Sequence, residues 1–201
     1  MTFNKELYNE TEASTGFAKI EPGIYVCKIL DVEDREQPQN LKIKFDISSG
    51  KFKDYYQGEE KAFGDYPSDG FAYRSYKDTA MSFFKGFITA IEKSNANYNF
   101  KTAHYDFRTL VGKLFVAVIE REEIPFADDE GKPIVKCRLT KIHSKKHFDE
   151  GTLKFSTEIK KLSDKDLEKF NAENEKAAYT DKIVAERTEI APTPSDDDSP
   201  F

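Results

Sequence analysis

Phe52, Tyr55, Tyr56, Phe63, Tyr66, Phe71, Tyr73 and Tyr76 place eight aromatic rings in 25 positions, more than twice the 13% aromatic content of the whole chain. Lys51, Lys53, Lys61, Arg74 and Lys77 are interleaved with them. Gly58, Gly64, Pro67 and Gly70 break the stretch and aliphatic residues are few, so the segment reads as loop-rich and cannot send every ring into a core. Rings on a basic, loop-rich surface suit base stacking, worth roughly 1–3 kcal/mol per base and tolerant of sequence because every base has a π-face. Phe52, Lys53, Tyr55, Tyr56, Phe63, Phe71, Tyr73 and Arg74 are the contacts this reading expects. Ordinary packing across the end of a small barrel competes for the same rings, since aromatic residues are mostly buried.

Two strand patterns carry cations on one face. Lys42 and Lys44 alternate with Leu41, Ile43 and Phe45, and Lys136 and Arg138 alternate with Val135, Cys137 and Leu139. Residues 136–146 hold Lys136, Arg138, Lys141, Lys145 and Lys146 with no acid. If the two faces adjoin, Lys42, Lys44, Lys136, Arg138 and Lys141 form a groove that neutralises phosphates without reading bases. A solvated strand face is the plainer use of a lone Lys pair.

The stretch Asp196-Asp197-Asp198-Ser199-Pro200-Phe201 sets a hydrophobic ring behind a block of negative charge, the chemistry of a peptide that docks in a pocket with a basic rim. His143 and His147 form an H-x3-H pair near Asp149 and Glu150, but Lys145 and Lys146 lie between them and no third His or Cys is close in sequence, so no metal is expected. Asp128-Asp129-Glu130-Gly131 is read as a turn, where acids are favoured. No phosphate loop, dinucleotide fingerprint, nucleophile elbow or zinc-peptidase helix is present, and neither an enzyme nor a cofactor is expected. Cys27 and Cys137 fall in strand patterns and are expected as buried thiols.

These residues need a scaffold. Strands are expected at Ile24–Val32, at Leu41–Ile47 (a strict period of two), at Phe52–Tyr56 as the return strand of a hairpin, at Gly112–Glu120, around Val135–Leu139 and around Thr152–Ile159. Asp78 is the expected N-cap of one helix, with Met81, Phe84, Ile88 and Ile91 at helical spacing and Ser94-Asn95 ending it. The fold class is therefore mainly β (α+β), an OB-fold-like five-stranded barrel with one helix between strands 3 and 4. Residues 1–19 form an N-terminal arm, 20–160 the binding domain, 161–188 a polar helical extension, and 189–201 a disordered acidic tail for docking partners.

The 201 residues amount to one domain with a tail. The formal charge is −6, but residues 1–160 hold 25 Lys and Arg against 26 Asp and Glu, so the acidity sits in the last fifth and the body is near neutral. No apolar run reaches the ~18 residues that span a bilayer, and no secretory leader is visible, so a cytoplasmic protein is expected.

The tip Asp196 to Phe201 resembles the acidic terminus of bacterial and phage single-stranded-DNA-binding proteins, which end in several Asp, a small or apolar residue, Pro and Phe. The body over residues 20–160 resembles a family of phage early proteins, some described as single-stranded-DNA-binding, in Gly23–Ile29, Leu41–Ile47, Phe84–Asn95 and Leu110–Lys113. It departs in having no Trp. The resemblance implies an OB fold that coats single-stranded DNA in phage replication or recombination, and a tail that recruits a polymerase, helicase or recombinase. A homodimer is compatible with it. Two other classes stay open from the residues alone, a protein–protein adaptor without DNA affinity and a metal-dependent nuclease using His143 and His147.

Overall fold

A computed structural model of the chain describes residues 18–174 and 176. The arm up to residue 17 and the tail residues Asp196, Asp197, Asp198, Pro200 and Phe201 lie outside the described residues. The elements in order are β1 (Gly23–Arg35), β2 (Asn40–Ile47), α1 (Tyr55–Phe63), β3 (Phe71–Ser75), α2 (Met81–Glu92), β4 (Leu114–Ala127), β5 (Pro133–His143) and the short α3 (Lys145–Asp149). The five strands form one antiparallel-rich sheet in the order β3-β2-β1-β4-β5. The chain divides into two compact units, Met1–Glu120 with Cys137–Thr157, and Arg121–Lys136 with Glu158–Phe201.

In the first unit, β1 is central. Cys27 pairs with Ile47 of β2 on one side and with Phe115 of β4 on the other, both antiparallel. The period of two in β2 sends Leu41, Ile43, Phe45 and Ile47 fully inside, where they meet Cys27 and Ile29 of β1 and Phe115, Ala117 and Ile119 of β4. α2 covers this face with Phe84, Phe87, Ile88 and Ile91. Its expected C-terminal residues do the stopping. Asn95 Nδ2 donates to the carbonyls of Ile91 and Leu114 at 2.8 and 2.9 Å, and Leu114 N–H returns a bond to Asn95 Oδ1 at 3.0 Å, tying the helix end to the start of β4. Asp78 lies in a one-turn 3-10 helix, Asp78–Ala80, and makes no side-chain cap; α2 itself begins at Met81.

Three expectations are corrected. The barrel is not closed: the sheet is open, and among the described residues β3 and β5 are its two edges, with β3 only five residues long and fully paired to β2. Phe52–Tyr56 is not a return strand. A turn leads into α1 at Tyr55, because Asp46 of β2 accepts the N–H groups of Tyr56 and Gln57 and so starts a helix there. The third strand is instead Phe71–Ser75, inside the stretch expected to be loop. Residues 152–159 carry no strand. The helix expected between strands 3 and 4 is α2, and the mixed, mainly β class is observed.

The second unit holds the far end of the β4–β5 hairpin. Its expected turn is present, with Asp128 Oδ1 accepting from Glu130 and Lys132 N–H, both at 2.9 Å, and Gly131 at φ 76°. Lys160 runs parallel beside β4, bonded through its N–H to Arg121 O and through its carbonyl to Glu123 N–H, and its ammonium reaches Glu122 at 2.7 Å. Residues 164–174 are helical, begun by Ser163, whose hydroxyl bonds Asp166, and Phe170 of this helix is buried. No helix among the described residues is long and apolar enough to cross a membrane.

Burial of the tyrosines gives the first unit a sensitivity to alkali. Desolvation pushes Tyr25 and Tyr55 up to about 12, and lifts Tyr56 and Tyr66 well above the ordinary phenol value. A phenol raised in the folded state keeps its contribution below the unfolded value of ~10 and loses it as pH climbs through the folded value. The fold is therefore expected to give way between about pH 10 and 12, with phenolate absorbance and loss of circular dichroism rising together. All ten tyrosines ionising before any change in dichroism would contradict this packing.

Candidate nucleic-acid interface

The face of β1–β2–β3 opposite the core is laid out by register. Lys42 pairs with Tyr73 and Lys44 with Phe71 across β2 and β3, while Glu33 and Asp31 of β1 stand on the other side of the same two lysines. Strand alternation puts these side chains on one surface because Leu41, Ile43 and Ala72 take the other. Two rows result, Glu33–Lys42–Tyr73 and Asp31–Lys44–Phe71.

Each cation on this face is held by a ring. Lys42 Nζ lies 4.5 Å from the Phe71 centroid, Lys44 Nζ 3.9 Å from that of Tyr66, and the Arg35 guanidinium 5.9 Å from that of Tyr73. Both lysines also have carboxylate partners, Glu33 at 3.4 Å and Glu60 of α1 at 3.1 Å. These pairs are partly exposed, and such pairs are worth only ~0–1 kcal/mol, so a phosphate can replace the carboxylate at small cost. Arg35, Glu33 and Glu60 are the members that the sequence pattern does not single out, and Tyr66 is counted in the ring cluster but not among the expected contacts. Arg35 lies beyond the strand expected at Ile24–Val32, whereas β1 continues through it.

The ring cluster splits in two. Phe52, Tyr55 and Tyr56 are core residues, not stacking surfaces, which corrects their expected role. They run edge-to-face from Tyr25 through Phe52, Tyr55 and Tyr56 at 5.2–6.0 Å, because α1 turns them under the sheet. Tyr66 continues the chain outward, its hydroxyl donating to the Phe45 carbonyl and its ring meeting Phe71 at 5.3 Å. Phe71 is half-buried and Tyr73 is 48% exposed, so the rings free to stack are at the outer end of this ladder. Phe63, in the last turn of α1, is also exposed.

The remaining cations are scattered. Arg74 faces the opposite way from Tyr73, in register with Leu41, with its guanidinium over Phe87 at 5.9 Å and one N–H on the Tyr73 carbonyl at 2.9 Å; burial lowers its pKa. Lys53 is exposed and sits 3.9 Å from Asp54. On β5, Arg138 meets Asp69 at 3.8 Å and Lys141 meets Glu120 at 3.7 Å. The sheet order sets β1 and β4 between β2 and β5, so the two basic strands are not neighbours in the sheet and the condition for one shared groove is not met through it. Lys136 belongs to the second unit.

His143 and His147 lie with ring centroids 6.2 Å apart, and burial, His147 and Lys141 lower the pKa of His143. Among the described residues no group of three or more His, Cys, Asp and Glu side chains is placed to hold a metal ion. Cys27 is buried, which pushes its thiol up, and Cys137 is half-buried; neither is in a disulfide. No protein-family model and no curated protein matches the chain, so the reading of this face rests on its geometry.

Proposed function

We propose that this chain binds single-stranded DNA without reading sequence, coating it in replication or recombination, with an OB-type body. The observation that carries the reading is the pair of cross-strand couples Lys42–Tyr73 and Lys44–Phe71, which alternate ring and cation on one open face. Such a surface stacks bases and neutralises the phosphates between them. Support for the OB assignment comes from the strand order, which contains the Greek-key sequence 4-1-2-3 with β5 added beside β4 and α2 between β3 and β4. In folds of that type the face of strands 2 and 3 receives the oligonucleotide. Recruitment of a polymerase, helicase or recombinase through Asp196–Phe201 belongs to the same proposal and rests on the chemistry of that stretch alone.

The test is a titration of labelled oligo-dT against a duplex of equal length. Single strand is expected to bind at least roughly tenfold tighter, a gap of ~1.4 kcal/mol that one stacked base supplies. Equal affinity for both would refute the stacking face. An adaptor of the replication or recombination machinery is the second reading, favoured by the Phe63 and Phe83 rings standing 73% and 79% exposed; it predicts no affinity for either nucleic acid at low salt.

A further inference from the structure

A groove of about 540 Å³ runs along α2 in the first unit. Phe84, Ile88 and Phe100 form its buried part with Phe107, and Met81 and Tyr105 stand at it 44% and 60% exposed. Most of its polar groups are already satisfied. The Thr89 hydroxyl donates to the Lys85 carbonyl at 2.8 Å, and Glu92 Oε1 accepts from Phe100 N–H at 2.9 Å. Lys85 and Lys101 are the exception: both line the groove, both are exposed, and neither makes an ion pair among the described residues. The loop that supplies Tyr105 holds two consecutive non-glycine residues at positive φ, His104 at 54° and Tyr105 at 59°. That conformation costs roughly 1–2 kcal/mol per residue, and strain of this kind concentrates at ligand-binding sites. Here it sets the Tyr105 ring edge-on to Phe100 at 5.7 Å.

An apolar groove with two unspent ammonium groups fits a hydrophobic side chain that follows carboxylates. A nucleobase is less well served, since few free donors or acceptors remain to meet its edges. The chain's own sequence contains the matching stretch, Asp196-Asp197-Asp198-Ser199-Pro200-Phe201. In an extended peptide the ring is within about 10 Å of the nearest carboxylate-bearing residue. We propose that the α2 groove docks this stretch from a second copy of the chain, with Phe201 among Met81, Phe84 and Tyr105 and the aspartates against Lys85 and Lys101. The docking does not depend on DNA binding, and it uses none of the residues of the β2–β3 face.

The receptor for the test is the full chain carrying Phe201→Ala, so that its own stretch does not compete. The probe is a labelled peptide of residues 195–201, capped at both ends, followed by fluorescence anisotropy. Saturable binding is expected, weakened at least roughly tenfold by Phe→Ala in the peptide and by Lys85→Glu with Lys101→Glu in the receptor. Both lysines are exposed, so the doubly reversed receptor should keep its melting temperature, and Tyr105→Ala, with charge unchanged, should also weaken the peptide. Saturating oligo-dT should leave peptide affinity within about twofold, because the two sites share no residue. Absence of saturation, equal binding of the Phe→Ala peptide, or displacement by oligo-dT would each overturn the proposal. Titrating oligo-dT alone into the same receptor reports on the DNA face separately.

Discussion

Removing both outer rings of β3, Tyr73→Ala with Phe71→Ala, is expected to weaken oligo-dT binding by roughly 2–6 kcal/mol, the loss of two stacking surfaces at roughly 1–3 kcal/mol each. Tyr73 is the cleaner of the two. It is 48% exposed and, among the described residues, its ring carries the Arg35 guanidinium alone, so Tyr73→Ala should alter stability by no more than about 0.5 kcal/mol. Phe71 also lies under Lys42 and against Tyr66, so its removal loosens a cation as well as a platform. Salt dependence separates the two effects. Neither ring neutralises a phosphate, so Tyr73→Ala should shift affinity at every salt concentration and leave the slope of log affinity against log salt unchanged. Lys44→Ala should flatten that slope by about 0.7, the value for one phosphate contact on a single strand. Anisotropy of labelled oligo-dT over a salt series measures both. Wild-type affinity in the double ring variant would show that this face is not the interface.

Local pattern was enough for some of this surface and not for the rest. The alternation Leu41-Lys42-Ile43-Lys44-Phe45 assigns both faces of β2 without any tertiary information, and the helical spacing of Phe84, Ile88 and Ile91 does the same for α2. β3 reads poorly because its order is inverted: Phe71 and Tyr73 face outward, while Ala72 and Arg74 take the inner side. A hydrophobicity pattern places rings inside and arginine outside, and here that rule fails in both directions. Tyr55 and Tyr56 fail for another reason. Their burial depends on α1, and α1 depends on a carboxylate about ten positions earlier in a different element. Even the partners of Lys44 come from outside its strand, with Glu60 on α1 and Tyr66 beyond it. Composition could count the rings and cations of residues 52–76, but only the fold could sort the exposed rings from the core.

Asp46→Ala is expected to cost about 3–5 kcal/mol, the second large effect, through unsatisfied buried donors. Asp46 is only 2% exposed, and its two oxygens accept from the N–H groups of Ile47, Tyr56 and Gln57 at 2.8, 3.0 and 2.9 Å. α1 has no side-chain cap of its own, because the residue before it, Asp54, sits at φ 56° and makes none. The carboxylate of β2 therefore serves as the cap from a distance, and it also meets the positive end of the helix dipole. Its removal strands up to three N–H groups, each worth roughly 1–3 kcal/mol when buried and unpaired. Against a total stability of about 5–15 kcal/mol this takes a large share. The damage should spread along a definite route: α1 frays, Tyr55 and Tyr56 lose their packing, and Glu60 and Tyr66 release Lys44. Asp46→Asn separates shape from charge. One acceptor oxygen remains where two served, so a smaller loss of about 1–2 kcal/mol is expected, with oligo-dT affinity retained. Urea denaturation reads both variants as a lower midpoint at an unchanged m value. An Asp46→Ala loss below about 1 kcal/mol would mean that α1 holds its place without the carboxylate, and that water or a neighbouring group takes up the freed donors.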